Sequence, residues 1–167
     1  MLVVLAAAAL LFVVEAPRRQ TGLESVRGPR VLRVRPDRVR RVELVGGAGQ
    51  LTAVRTMSGW EVNGRPADEP TVEALDALVT TLAGLRALDA FRPGDRTALG
   101  LDPPAATLAV FTDRRERRLA LGTPNAAGNG LYVERLGHPR VFVVGTGMLS
   151  AIDRVFFQQR LADKTAG

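Results

Sequence analysis

Cysteine is absent from the 167 residues, which excludes disulfides, thiolate metal centres and cysteine nucleophiles and leaves the redox compartment unmarked. Histidine occurs once, as His138, so no site that needs two imidazoles can form. Lysine also occurs once, as Lys164, beside 22 arginines. A GC-rich genome's codon usage produces the same skew, and arginine content by itself is no sign of phosphate reading. Aromatic residues make up 5% of the chain, against 17 glycines and 10 prolines. That balance predicts a turn-rich fold with an aliphatic core rather than an aromatic-lined ligand pocket. The length holds one ordinary domain or two very small ones, which excludes a large multidomain enzyme.

The net charge of +6 is unevenly placed. Residues 1–41 carry nine arginines against Glu15, Glu24 and Asp37, which accounts for all of it; residues 42–167 carry 14 basic and 14 acidic groups. The expectation is an electrically balanced body with its excess charge beside the N-terminus. A nucleic-acid binder would concentrate charge on its folded face with aromatics interleaved for stacking, so no nucleic-acid partner is expected.

Met1 to Val14 is an unbroken apolar run, closed by Glu15, Ala16, Pro17, Arg18 and Arg19. As a helix, at about 1.5 Å per residue, it spans roughly 21 Å against the roughly 30 Å of a bilayer's hydrocarbon core, so it is a marginal membrane anchor. A cleaved secretory signal competes with this reading, because Val14 and Ala16 suit small-residue cleavage. Pro17 as the first mature residue and the lack of a basic leader count against cleavage, and the missing leader also fits a start upstream of Met1. A buried core helix is disfavoured because no position in the run is polar. Residues 1–16 are therefore read as an apolar anchor helix through which the chain meets a membrane. The arginines that follow would keep their segment cytoplasmic by the positive-inside rule.

Residues 17–30 are polar, with Gly and Pro and no periodicity, and read as a basic linker. A single domain is expected over 31–161, followed by a tail at 162–167. Its first strands are predicted around 32–34, 39–45 and 51–56, with turns at Gly46-Gly47-Ala48-Gly49 and at Asn63-Gly64 after Gly59-Trp60-Glu61-Val62. Trp60 is expected as an aromatic plug at the edge of the core. Residues 68–87 predict a helix: Val72, Leu75, Leu78, Val79, Leu82 and Leu85 fall on one stripe, Asp68 is a suitable N-cap, and Pro70 is tolerated in the first turn. Glu69, Glu73 and Asp76 toward its start and Arg86 at its end complement the helix dipole. Four short strands follow, at 107–112, 118–122, 131–135 and 141–144, joined by connections too short for parallel crossovers and hence antiparallel. A closing helix over 146–161 gathers Met148, Ile152, Val155 and Phe156 on one face. The predicted class is α+β: an antiparallel sheet of short strands covered by two helices and preceded by the N-terminal apolar helix.

No motif carries chemistry. Ser25, Ser58 and Ser150 lie in no nucleophile elbow, and His138 occupies a Gly-His-Pro-Arg turn that reads as solvated. No spacing singles out a carboxylate pair among the 17 acids, and no calcium-type loop is present. The stretch 122–130 has the glycines of a phosphate cradle without its lysine or its helix, and reads as a hairpin loop. No catalytic, cofactor-binding or metal-binding residue is therefore assigned, no cofactor is expected, and the chain is read as not an enzyme. Gly100 is expected to adopt a backbone angle closed to other residues, and Asp102-Pro103-Pro104 to lead in extended form into the next strand.

Taken in order, Gly59-Trp60-Glu61-Val62, Pro66-Ala67-Asp68 before a Leu-rich helix, Leu99-Gly100-Leu101-Asp102-Pro103, Leu121-Gly122, Tyr132-Val133 and Val141-Phe142-Val143-Val144 resemble the bacterial domain-of-unknown-function family 4340 over about 31–157. The resemblance implies an accessory role beside ABC-type transport or gliding-motility-like envelope systems, with a single-pass anchor in the inner membrane and the domain on the extracytoplasmic, periplasmic side. The chain departs from the family in carrying one copy of the unit and in having Glu134 where a basic residue is common. The expected function is a membrane-anchored, non-catalytic interaction module with an envelope protein partner. The alternative is an extracytoplasmic small-ligand binder or a hydrolase using carboxylates. An exposed apolar patch or bare sheet edge would favour the first, and an acid-lined cleft at Tyr132 or His138 the second.

Overall fold

A computed structural model of the protein describes residues 28–165. The apolar run at 1–16, most of the linker and the last two residues of the tail lie outside the described residues. The strands are β1 (Val39–Gly46), β2 (Gly49–Thr56), β3 (Gly59–Val62), β4 (Arg65–Pro66), β5 (Ala87–Phe91), β6 (Ala106–Thr112), β7 (Glu116–Pro124), β8 (Gly130–Arg135) and β9 (Val141–Gly145). The helices are α1 (Glu69–Gly84), between β4 and β5, and α2 (Gly147–Thr165), after β9. All nine strands form one antiparallel sheet in the order β4-β3-β2-β1-β6-β7-β8-β9-β5. The predicted α+β class is therefore correct for the described residues.

Alternation along the strands decides which face is wet. Val42 and Leu44 of β1 lie opposite Val110 and Leu108 of β6, Leu108 lies opposite Leu119, and Leu121, Val133 and Phe142 continue the row across β7, β8 and β9. All of them are buried, and α1 and α2 cover this face with Leu75, Leu78, Val79, Leu82, Met148, Ile152, Val155 and Phe156. The intervening residues point to the opposite, outer face.

Strand order dictates two long connections. α1 leaves β4 at one edge and delivers the chain to β5 at the other, so it runs over the buried face. β5 must then reach β6 in mid-sheet, and residues 92–105 make that journey across the outer face, over β9, β8 and β7.

Several sequence expectations shift. The first helix ends at Gly84 rather than 87, because Leu85 is already extended (φ −61°, ψ 117°). Residues from Ala87 onward then form β5, whose Leu-Asp-Ala-Phe text shows no clean alternation. Residues 32–34 form no strand; nearby, the chain bonds once on each side of an isolated bridge, Val31 N–H to Leu85 O and Ala87 N–H to Pro29 O. The two-residue β4 had no signal beyond the Asn63-Gly64 turn, where both residues have positive φ (51° and 80°) as that hairpin turn requires. Asp102-Pro103-Pro104 is no extended exit: Leu101 and Pro104 bridge each other around a tight turn whose Asp102–Pro103 bond is cis.

Trp60 is the expected plug, 3% exposed. Its indole N–H donates to Asp76 Oδ1 at 2.9 Å, and the Arg55 guanidinium lies 4.7 Å from its ring centre and pairs with the same carboxylate. Asp76 therefore joins β2, β3 and α1 as well as contributing its charge to the helix. Asp68 caps α1 by accepting from Thr71 N–H at 3.0 Å. Asp68→Ala is expected to lower unfolding stability by about 1 kcal/mol, the usual worth of such a cap, read as a lower urea midpoint at unchanged slope.

Candidate functional site

The outer face has two halves. Over β7, β8, β9 and β5 it is closed by the 92–105 strap. Leu101 (2% exposed) packs there on Ala120 and Val141, with Phe91, Leu99 and Tyr132 around them. Phe91 meets Tyr132 edge-on, with ring centres 6.1 Å apart. The strap can lie this close because two glycines face each other. Gly100 has φ 66°, and a Cβ there would come within 2.7 Å of Thr123 Cγ2. A Cβ on Gly122 would come within 2.2 Å of the Leu99 carbonyl oxygen, a backbone atom that cannot move aside. Thr123 Oγ1 also donates to that carbonyl at 3.2 Å.

Beneath the strap Arg96 grips Glu134: Nη1 donates to Oε1 at 2.7 Å, and Nη2 lies 2.5 Å from Oε2 as an ion-pair contact without hydrogen-bond alignment. The carboxylate is 11% exposed and the guanidinium 46%. A half-solvated pair contributes about 1 kcal/mol at most, less than the roughly 2 kcal/mol from burying a leucine such as Leu101. Apolar contact holds the strap, and the ion pair spares Glu134 the cost of being buried alone.

The other half, over β2, β1 and β6, is uncovered. Register sets its outward side chains in rows: Glu61, Val54, Arg41, Phe111 and Glu116 in one, Thr52, Glu43, Ala109 and Arg118 in the next, Gln50, Val45 and Thr107 in the third. Val45 is 47% and Val54 37% exposed. Arg41 lies 3.8 Å over the Phe111 ring and also pairs with Glu43 at 3.2 Å.

At one end of the sheet the arginines converge. The entering segment brings Arg30, Arg33, Arg35 and Arg38, the β6–β7 turn Arg114 and Arg115, and the β8–β9 side Arg135 and Arg140. The expected electrical balance of residues 42–167 thus holds as a sum but not as a distribution. Arg40 donates to Asp113 through Nε at 2.7 Å. That hydrogen bond, aided by the charges of Arg40, Arg38 and Arg114 and opposed by desolvation, holds the Asp113 carboxyl below the ordinary aspartate range.

The residues weighed from sequence do not converge. Ser25 lies outside the described residues. Ser58 Oγ is 3.0 Å from Thr56 Oγ1 in the β2–β3 turn, and Ser150 is exposed on α2. Asp102 is exposed in the strap's turn. His138 lies against Phe142, ring centres 5.1 Å apart, and its Nδ1 accepts from Arg140 N–H at 3.3 Å. The glycine loop is closed by Asn125, whose Oδ1 accepts from the N–H groups of Asn129 and Gly130 at 3.1 and 3.0 Å, so those donors are taken. Among the described residues no group of three or more His, Asp and Glu is placed to hold a metal ion, and no helix is long and apolar enough to cross a membrane. Sequence reasoning missed the Arg96–Glu134 pair and the arginine end, because neither has a local signature.

The sequence pattern described as Domain of unknown function (DUF4340) matches residues 73–160, more than half of the chain, and the protein belongs to that family. The match runs from inside α1 to inside α2 and takes in the strap with both of its glycines. The β1–β4 hairpins, included in the resemblance drawn from the sequence, lie outside it. No curated protein and no solved structure matches the chain.

Gly122→Ala is expected to cost about 2 kcal/mol, the usual penalty of overpacking, and to free the strap, read as faster protease cleavage within 92–105. Arg40→Gln is expected to return the Asp113 titration toward the ordinary range in carboxyl NMR. Because the folded value is depressed, Asp113 favours the folded state above the ordinary aspartate range, and that contribution is lost as pH falls through its lowered value.

Proposed function

We propose that the protein is a membrane-tethered, non-catalytic interaction module of the bacterial envelope, anchored by residues 1–16 and holding its domain on the extracytoplasmic side. It works by docking an envelope protein, in the accessory position beside a transport or motility system that the family resemblance implies. The observation that carries this reading is the uncovered outer face of β2, β1 and β6, where Val45 and Val54 stand exposed among charges of alternating sign. Apolar contacts ringed by polar groups suit a protein surface that must be met in one register.

The alternative, a small-ligand site or a carboxylate hydrolase, calls for an acid-lined cleft at Tyr132 or His138. Tyr132 packs beneath the strap, and the depression beside His138 is lined by Pro29, Arg30, Arg33, Arg135, Arg140 and Phe142, with no acid among them.

A chain without cysteine permits single-cysteine cross-linking without background. In native membranes Val54→Cys and Val45→Cys are expected to yield one common adduct with a transporter-type subunit, and Arg154→Cys on exposed α2 none. Alkaline carbonate is expected to leave the full chain in the membrane pellet. Equal adducts from all three positions, no adduct from Val54→Cys, or release of the chain by carbonate would overturn the reading.

A further inference from the structure

We propose that the arginine end of the sheet is a docking face for an acidic phospholipid surface, on which the domain lies down rather than standing off on its linker. For delivery to the bilayer this rests on the tethered reading above; the surface chemistry stands on its own.

Arg30, Arg33, Arg114, Arg115 and Arg140 are all exposed at this end, and among the described residues none has a carboxylate within ion-pair distance. The acids nearby are already engaged: Asp37 by Arg35 and Arg38, Asp113 by Arg40, and Glu116 by Arg118. A protein surface with unmatched positive charge of this density attracts a counter-surface of phosphodiesters. Two open depressions, of about 430 and 380 Å³, lie between these side chains. Leu136, 53% exposed, projects from the β8–β9 turn, and Met57 is fully exposed at the β2–β3 turn on the same end of the sheet. Basic groups around protruding apolar tips are the composition that sits at a headgroup boundary.

The path of the chain points the same way. Gly28 lies beside Arg86 at the start of β5, and Pro29 after it lines one of these depressions; thirteen residues, 15–27, separate Gly28 from the apolar run. Thirteen residues can span at most about 45 Å, so a tether would keep the depression lined by Pro29 within that distance of the bilayer. Nucleic acid fits less well: among the described residues at this end Phe142 is 3% exposed, Phe111 lies under Arg41 and the His138 ring is packed against Phe142, so little ring surface is offered for a base to stack on.

The test uses the full chain in nanodiscs of phosphatidylcholine with or without phosphatidylglycerol. An environment-sensitive fluorophore is placed at Leu136→Cys, and, as control, at Ala48→Cys in the exposed turn at the opposite end. The expected result is a blue shift and quenching by brominated lipid at position 136 in acidic discs alone, removed by high salt. The docked-to-free ratio is expected to fall about fivefold for each of Arg114→Gln, Arg115→Gln and Arg140→Gln, at about 1 kcal/mol per charge near the surface. All three side chains are exposed and, among the described residues, make no hydrogen bond or ion pair. An unchanged spectrum at 136 in correctly inserted chain, equal responses at 136 and 48, or salt-sensitive binding of an oligonucleotide in place of any acidic-lipid response would overturn the proposal. Chain that fails to insert yet binds acidic vesicles through the same arginines would refute the tether and support the docking face.

Discussion

The fold hangs on a place where two backbones touch. Because β5 lies at one edge and β6 in the middle, the intervening chain must cross three strands on the face that helices do not cover. A crossing segment with side chains at every position would stand off from the sheet and leave Ala120 and Val141 in water. Removing the side chain from Gly122 lets the Leu99 carbonyl settle onto β7, and a left-handed Gly100 turns Leu101 down into the gap. Leu101 then seals a small second core that the helices never reach. Leu99-Gly100-Leu101-Asp102-Pro103 and Leu121-Gly122 are the two sides of this one contact.

That crossing also makes the outer face asymmetric, with one half covered and the other open. Where the strap lies, polar groups are consumed internally: Glu134 by Arg96, and the loop amides by Asn125. Where it does not lie, Arg41, Glu43 and Phe111 hold one another in place while Val45 and Val54 remain uncovered. The shared family pattern covers the strapped half with β6 and both helices, whereas β1 to β4 fall outside it. The uncovered surface is thus built largely from strands that lie outside the matched residues.

Much of the fold was legible because it rests on local physics. The 3.6-residue stripe from Leu75 to Leu82, the Asp68 cap and the Asn63-Gly64 turn each express their structure within a few residues. β5 was not legible: Ala87 to Phe91 alternates poorly, since its register slips between Ala87 and Asp89 while Ala90 packs on the main core and Phe91 in the second cluster with Tyr132, and leucine-rich helix text runs straight into it. β4 exists because β3 supplies its partners. The strap's exit from Asp102 looked extended because two prolines favour that conformation locally, whereas the bridge between Leu101 and Pro104 is imposed by packing on β7. The arginine end was hidden more completely, since charge counted along a chain cancels while charge gathered in space does not.

That difference between summing and placing has a physical reason in the topology. Four separate segments meet at one end of the sheet: the entry to β1, the β2–β3 turn, the β6–β7 turn and the β8–β9 turn. Three of them carry arginine, and the acids among them are too few to neutralise it. Asp113 is taken by Arg40, and Arg30, Arg33, Arg114, Arg115 and Arg140 remain exposed. A domain folded this way has one strongly cationic end although its charges from residue 42 onward sum to zero, and the entering chain passes beside that end at Pro29 and Arg30. In the proposed arrangement the two features would reinforce each other: a tether would raise the local concentration of the bilayer, and the arginines would then need only weak individual attractions to orient the body against it. Orientation of this kind would stand the sheet on its end, so that the β2–β1–β6 face looked sideways along the membrane plane, toward neighbouring envelope proteins.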